Sequence, residues 1–289
     1  MKTHLSVGGK VKNYKGFRGF LKRLSYKYDK AKGVDSSSEI ALHWWNGRLN
    51  FGDVVNKFIV EKLSGKKAIW SSDKSDKEHH LVIGSVLQSS NDNAIVWGSG
   101  IISDRKTPLF KPKKVYAVRG PKTREVLLAR GIDCPAVYGD PALVLPSLIQ
   151  PSNSGVMYKL GIIPHYNNKN DAFFNQKFPD DVKIIDIETD DVQEFIDEIA
   201  SCELIVSSSL HGIIVADAYG VPAHHISFDD SVEGGEFKFF DYYLSVGREC
   251  NLPIKVSSST SIEELYELPK NYDIKIDIQP LLDSCPFKQ

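Results

Sequence analysis

The chain has 289 residues, enough for two α/β domains of ordinary size or one large one. Hydrophobic residues make up 42% and charged residues 25%, the balance of a soluble globular protein, and no apolar run approaches the roughly 20 residues needed to cross a bilayer. The net charge of −1 hides an asymmetry: residues 1–37 hold ten Lys and Arg against Asp29 and Asp35, a balance of +8 that leaves −9 for the remainder, and an acidic body speaks against a broad nucleic-acid surface.

Residues 1–37 read as a basic N-terminal arm. Phe17, Phe20, Leu21, Leu24 and Tyr28 recur at helical spacing with Arg18, Lys22, Arg23 and Lys27 between them. Such a helix either docks on the body or lies peripherally on the anionic inner face of the cytoplasmic membrane. With no apolar centre in Met1–Lys32, a secretory signal is not expected, which points to the cytoplasm. Cys134, Cys202, Cys250 and Cys285 stand far apart without a Cys-x-x-Cys, so the thiols read as reduced and no metal is expected.

From Glu39 onward strand and helix patterns alternate. Residues 39–44 read as a strand, and Asp53–Leu63 as a helix with Val54, Val55, Phe58, Ile59 and Leu63 on one face. Residues 81–83, 94–97 and 115–118 read as buried strands. Pro121 opens a helix that Gly131 closes. After the turn-rich tract 139–151, residues 159–163, 182–187, 204–206 and 223–226 read as strands, with helices over 192–200 and 211–219. Alternation of this kind on both sides of a proline-rich middle predicts two parallel-sheet domains, 38–150 and 151–289, the second including a C-terminal tail, with the ligand in the cleft between them.

Three strand-to-helix segments carry the candidate chemistry. In Leu204-Ile-Val-Ser-Ser-Ser-Leu-His-Gly212 a buried strand ends in three serines before a helix, so that helix N–H groups face whatever lies above the strand and suit an anion. His211 stands at that turn, where proton transfer and capping of the loop fit its position equally. In Val115-Tyr-Ala-Val-Arg-Gly-Pro-Lys-Thr-Arg124, Arg119, Lys122 and Arg124 cluster at a second turn, and arginine grips phosphate or carboxylate with paired hydrogen bonds. In Trp44-Trp-Asn-Gly-Arg-Leu-Asn-Phe-Gly-Asp53, Asp53 is either a helix N-cap or, with Asn50, a holder of sugar hydroxyls beside the stacking faces of Trp44 and Trp45. Gly98-Ser-Gly100 lacks the third glycine of a dinucleotide loop, and no Asp-x-Asp and no Gly-Lys-Ser/Thr loop is present.

Taken in order, Asn50-Phe-Gly-Asp53, Trp97-Gly-Ser-Gly100, Arg119-Gly-Pro-Lys-Thr-Arg124, Tyr138-Gly-Asp-Pro-Ala142, Ser207-Ser-Ser-Leu-His-Gly212 and Phe237-Lys-Phe-Phe-Asp-Tyr-Tyr-Leu-Ser-Val-Gly-Arg248 resemble the polysaccharide pyruvyl transferase family, in its branch acting on bacterial exopolysaccharides such as succinoglycan. The resemblance implies two Rossmann-like domains with a central cleft, as in GT-B glycosyltransferases. It implies phosphoenolpyruvate as donor, a polysaccharide or lipid-linked sugar as acceptor, a pyruvate ketal as product, and no cofactor. It makes Arg119 a donor-anion ligand and His211 a catalytic or donor-binding residue, with Ser209, Leu210 and Gly212 beside it. Relatives carry an arginine where this chain has Ser209, so Lys122, Arg124, Lys238 or Arg248 is expected to supply that charge. Asn50, Trp45 and Glu236 are then the acceptor side, with Asp53 or Glu236 as a second acid/base group. The alternative on the same fold is a nucleotide-sugar glycosyltransferase.

Overall fold

The computed structural model describes residues 38–104, 110–153, 155–228, 235–271 and 274–287. The basic arm, with its helical spacing, lies outside the described residues. The described residues from Ile40 onward form one compact unit, and the fold contains two five-stranded sheets.

The first sheet is built from β1 (Glu39–His43), β2 (Lys67–Trp70), β3 (His79–Leu81), β4 (Ala94–Trp97) and β5 (Lys114–Ala117), in the order β2-β1-β3-β4-β5. The second comprises β6 (Leu160–Ile163), β7 (Val182–Ile184), β8 (Ile205–Ser207), β9 (Ala223–Ser227) and β10 (Ile254–Lys255), in the order β10-β9-β8-β6-β7. Pairings β1–β3, β3–β4 and β4–β5 are parallel, as are β6–β7, β6–β8, β8–β9 and β9–β10. Strands covered on both faces need unbroken apolar runs, and Ala-Ile-Val-Trp of β4 and Leu-Gly-Ile-Ile of β6 are buried at every position.

The helices are α1 (Phe51–Ser64), α2 (Pro121–Ala129), α3 (Leu145–Leu148), α4 (Val192–Ala200), α5 (Leu210–Ala218), α6 (Phe237–Ser245), α7 (Ile262–Tyr266) and α8 (Gln279–Asp283). The N-cap of α1 is Asn50, whose side chain accepts from the Gly52 N–H, and so Asp53 is released from the capping role open to it in the sequence. Helix α1 stops at Gly65, which takes the left-handed conformation (φ 65°) that a residue with a Cβ avoids, and its N–H returns to the Glu61 carbonyl. Helix α5 is apolar nearly all round and is buried along most of its length.

One hydrophobic cluster runs from Leu42 and Phe51 of the first half to Phe195, Ile213 and Tyr242 of the second. Phe51 stacks on Phe195 at 4.0 Å between centroids. The Trp97 indole N–H donates to the Leu281 carbonyl at 2.9 Å, and Phe287 packs against His80 and Trp97, so the chain end returns to the first sheet.

Candidate active site

A cavity of about 700 Å³ opens where the carboxyl ends of strands from both sheets meet. Trp44, Trp45 and Asn46 follow β1; Gly84, Ser85 and Gln88 follow β3; His165 and Tyr166 follow β6; Ser209, Leu210 and His211 follow β8. This is the place that a parallel α/β sheet leaves for a ligand, because its helices start and its loops cluster there. Asn50 and Asp53 bring the N-terminus of α1 to the wall, and Ser209 to His211 bring that of α5. Both helices aim the positive end of a dipole at one space, but the first-turn N–H groups of α1 are already taken by the Ile187 carbonyl and by Asn50, whereas α5 has no side-chain cap. Lys238 of α6 completes a wall well suited to an anion.

The serines before α5 divide their work. Ser207 Oγ donates to the carbonyls of Ile163 and Ser209 and accepts from the Ser209 N–H, which shapes the tight turn. Ser208 Oγ donates to Asn168 Oδ1 and accepts from the His165 N–H, joining the β8 turn to the β6 turn. Ser209 is the N-cap residue, makes no side-chain cap bond, and lines the cavity. Gly212 serves packing: a Cβ there would fall 2.4 Å from Ser207 Oγ.

His211 is wedged. A Cβ on Gly52 would fall 2.0 Å from its Nδ1, so only glycine lets α1 approach the ring. Its Nε2 is buried, makes no hydrogen bond, and lies 3.9 Å from Asp140 Oδ2. Burial first, then the positive charges of Arg119, Lys238 and His165, push the His211 imidazole down to about 3. Burial pushes the Asp53 carboxyl up to about 8, against a backbone hydrogen bond at Trp45. Burial thus favours the uncharged form of both groups.

Of the sequence-derived candidates, His211, Asp53, Ser209, Leu210, Lys238, Asn50 and Trp45 share this cavity. The remaining cations do not line it. Arg119 is fully buried, donating from Nε to Asp241 (3.0 Å), from Nη1 to Ser85 Oγ (2.7 Å) and from Nη2 to the Ile101 carbonyl (2.7 Å), so it stands behind the Ser85 wall. Arg124 donates to the Cys134 carbonyl, Arg248 binds Asp217, and Lys122 lies over the Phe237 ring. Among the four cations expected to replace the missing arginine, Lys238 is the one at the wall. Glu236 does not line the cavity, since its Oε2 lies 3.3 Å from His225 Nδ1. Ser85, Gln88, His165 and Tyr166 are wall residues that the motif reading passed over. Ser85 stands four residues beyond a strand end, a signal the strand-terminus rule offers. Among the described residues no three His, Cys, Asp or Glu side chains gather in a way that would hold a metal ion.

The sequence matches the polysaccharide pyruvyl transferase family over residues 11–230. The chain belongs to that family. It is 35% identical to an uncharacterized protein of Acanthamoeba polyphaga mimivirus over 219 residues, covering 73% of this chain and 76% of the relative. It is 27% identical to the succinoglycan biosynthesis protein ExoV of Rhizobium meliloti over 232 residues, 77% of this chain and 69% of that one. A functionally uncharacterized protein of Klebsiella pneumoniae superposes with a TM-score of 0.42 at 14% identity, covering 81% of this chain and 94% of the other. The family match spans the cavity-forming turns up to and including α5, the element that carries His211. Among the described residues no helix is long and apolar enough to cross a membrane.

Proposed function

We propose that this pyruvyl transferase moves the pyruvyl group of phosphoenolpyruvate onto two hydroxyls of a polysaccharide or lipid-linked sugar, closing a ketal and releasing phosphate. The observation that carries the reading is that Asp53 and His211 line one cavity of a family member, where burial raises the Asp53 carboxyl and lowers the His211 imidazole. The donor bears a carboxylate and a phosphate, which Lys238 and the α5 N-terminus suit. Asp53 gives its proton to the donor methylene carbon, making the adjacent carbon electrophilic. His211 takes the proton of the first attacking hydroxyl and passes it to the departing phosphate. The second hydroxyl closes the ring and its proton returns to Asp53, so each group ends as it began. Arg119 adds positive potential from behind Ser85 without touching the ligand.

The two parallel sheets around one cavity are read as a GT-B-like arrangement, with Trp45 and Asn50 on the acceptor side. The reaction is placed in the cytoplasm, with the basic arm 1–37 holding the protein at the inner membrane face where lipid-linked acceptors reside. Deleting the arm should abolish sedimentation with anionic vesicles and spare donor binding.

The test is release of phosphate from phosphoenolpyruvate with a panel of sugar acceptors, together with detection of the ketal methyl group by NMR. Asp53→Asn and His211→Ala should each lower turnover about 10²–10⁴-fold. Near-normal turnover in both variants would remove the acid–base assignment.

A further inference from the structure

Asp140 is fully buried in the turn that follows Gly139, at the N-cap of a short 3-10 turn, Pro141–Val144, that packs on α5. Its two oxygens are used unequally. Oδ1 accepts from the Ala142 N–H at 3.0 Å, as an N-cap carboxylate does. Oδ2 has no hydrogen-bond partner, and neither has His211 Nε2, 3.9 Å away. A buried polar atom left unpaired costs about 1–3 kcal/mol, more when charged, and native structures keep very few of them. Here two complementary ones face each other, and an approach of about 1 Å would bring them to hydrogen-bond distance.

We infer that Asp140 is the positioning residue of His211, accepting the Nε2 proton and so leaving Nδ1 as the basic nitrogen. The inference rests on the acid–base reading of the site. Gly52 fixes the Nδ1 edge of the ring and Asp140 faces the opposite edge, so the two clamp the imidazole from the first half of the chain while α5 supplies it from the second. Arg119, Lys238 and His165 all oppose a positive charge on His211. Asp140 is the carboxylate set against them, and it stabilises the imidazolium that exists between proton uptake from the sugar hydroxyl and proton delivery to phosphate. No further reactant is needed, because the proton enters at Nδ1 and leaves from it. Asp140 touches neither donor nor acceptor.

The experiment is nitrogen-15 NMR of the histidine-labelled protein at alkaline pH, well above the value of about 7 to which burial pushes Asp140. His211→Ala identifies the His211 signals among those of the eight histidines. In the wild type the ring proton should sit on Nε2. In Asp140→Asn the amide N–H faces Nε2, so the ring proton should move to Nδ1. With it kcat should fall about 10²–10⁴-fold while the phosphoenolpyruvate KM and the urea midpoint stay near wild type. A wild-type proton on Nδ1 overturns the assignment, whatever the variant does. An unchanged tautomer with unchanged kcat in Asp140→Asn overturns it as well. The tautomer is read without turnover, so a failure here is distinct from a failure of the pyruvyl transfer reading.

Discussion

Two buried side-chain pairs, Arg119 with Asp241 and His211 with Asp140, each bring one residue from the first half of the chain against one from the second, and they are built in opposite ways. Around Arg119 and Asp241 every element has a partner. The guanidinium donates to Asp241, Ser85 and the Ile101 carbonyl, and the Asp241 carboxylate also accepts from the Thr123 N–H and hydroxyl. Both side chains are fully buried. Around His211 and Asp140 the two facing atoms have no hydrogen-bond partner, and their separation of 3.9 Å is too long for one. A satisfied network holds a structure in one state; a pair left open can change its protonation as a reaction proceeds. Motifs alone make Arg119 and His211 look alike, since each follows a strand into a glycine-marked turn. Their neighbours differ: the first is held by hydrogen bonds from Nε, Nη1 and Nη2 within the fold, and the second keeps a buried ring nitrogen without a hydrogen-bond partner.

That contrast can be broken at several points. The largest effect is expected at the open pair: His211→Ala should lower turnover about 10²–10⁴-fold and leave urea unfolding nearly unchanged, measured in parallel on one preparation. Next, Asp241→Ala leaves a charged guanidinium buried without its counter-ion and should cost about 3–5 kcal/mol of stability by urea titration. If Asp241→Ala unfolded like wild type, the Arg119 pair would not be a strut. Ser85→Ala removes one hydrogen bond to a charged donor and should cost about 1.5–3 kcal/mol, with donor binding largely kept.

A pH series sharpens the same comparison. The folded protein holds the Asp53 carboxyl at about 8, above the ordinary 3.8, so the native state binds more protons than the unfolded one between those values. Stability from this source falls as pH rises from about 4 to about 8. Asp53→Asn should therefore raise Tm progressively over that window and level off above it, while turnover is lost throughout. A Tm difference that does not grow with pH would mean that Asp53 titrates normally.

Much of the fold was legible because parallel strands and their helices write strong local patterns. The buried run of β4, Pro121 at the first turn of α2 and Gly65 closing α1 follow from residues a few positions apart. What stayed hidden is nonlocal. Lys122, Arg124, Lys238 and Arg248 are equivalent as cations, and packing alone decides that Lys238 reaches the cavity while Arg248 turns to Asp217. The fate of Arg119 depends on Asp241, 122 positions away. Asp140 sits in a recognisable turn motif, yet its relation to His211 exists only once the 3-10 turn after it packs on α5. The return of Phe287 to Trp97 likewise leaves no local trace.

On the proposed reading the cavity binds phosphoenolpyruvate through the α5 turn and Lys238, which ligand-dependent thermal stability can detect. Arg119→Ala is a poor control, because removing a buried strut lowers stability by itself; Lys238→Ala, at the wall, is the informative one. A ligand that binds only the folded state raises apparent stability by mass action. Tm should rise with phosphoenolpyruvate for wild type, rise less for Lys238→Ala, and not rise with UDP- or GDP-sugars. A rise with a nucleotide sugar and none with phosphoenolpyruvate would contradict that reading.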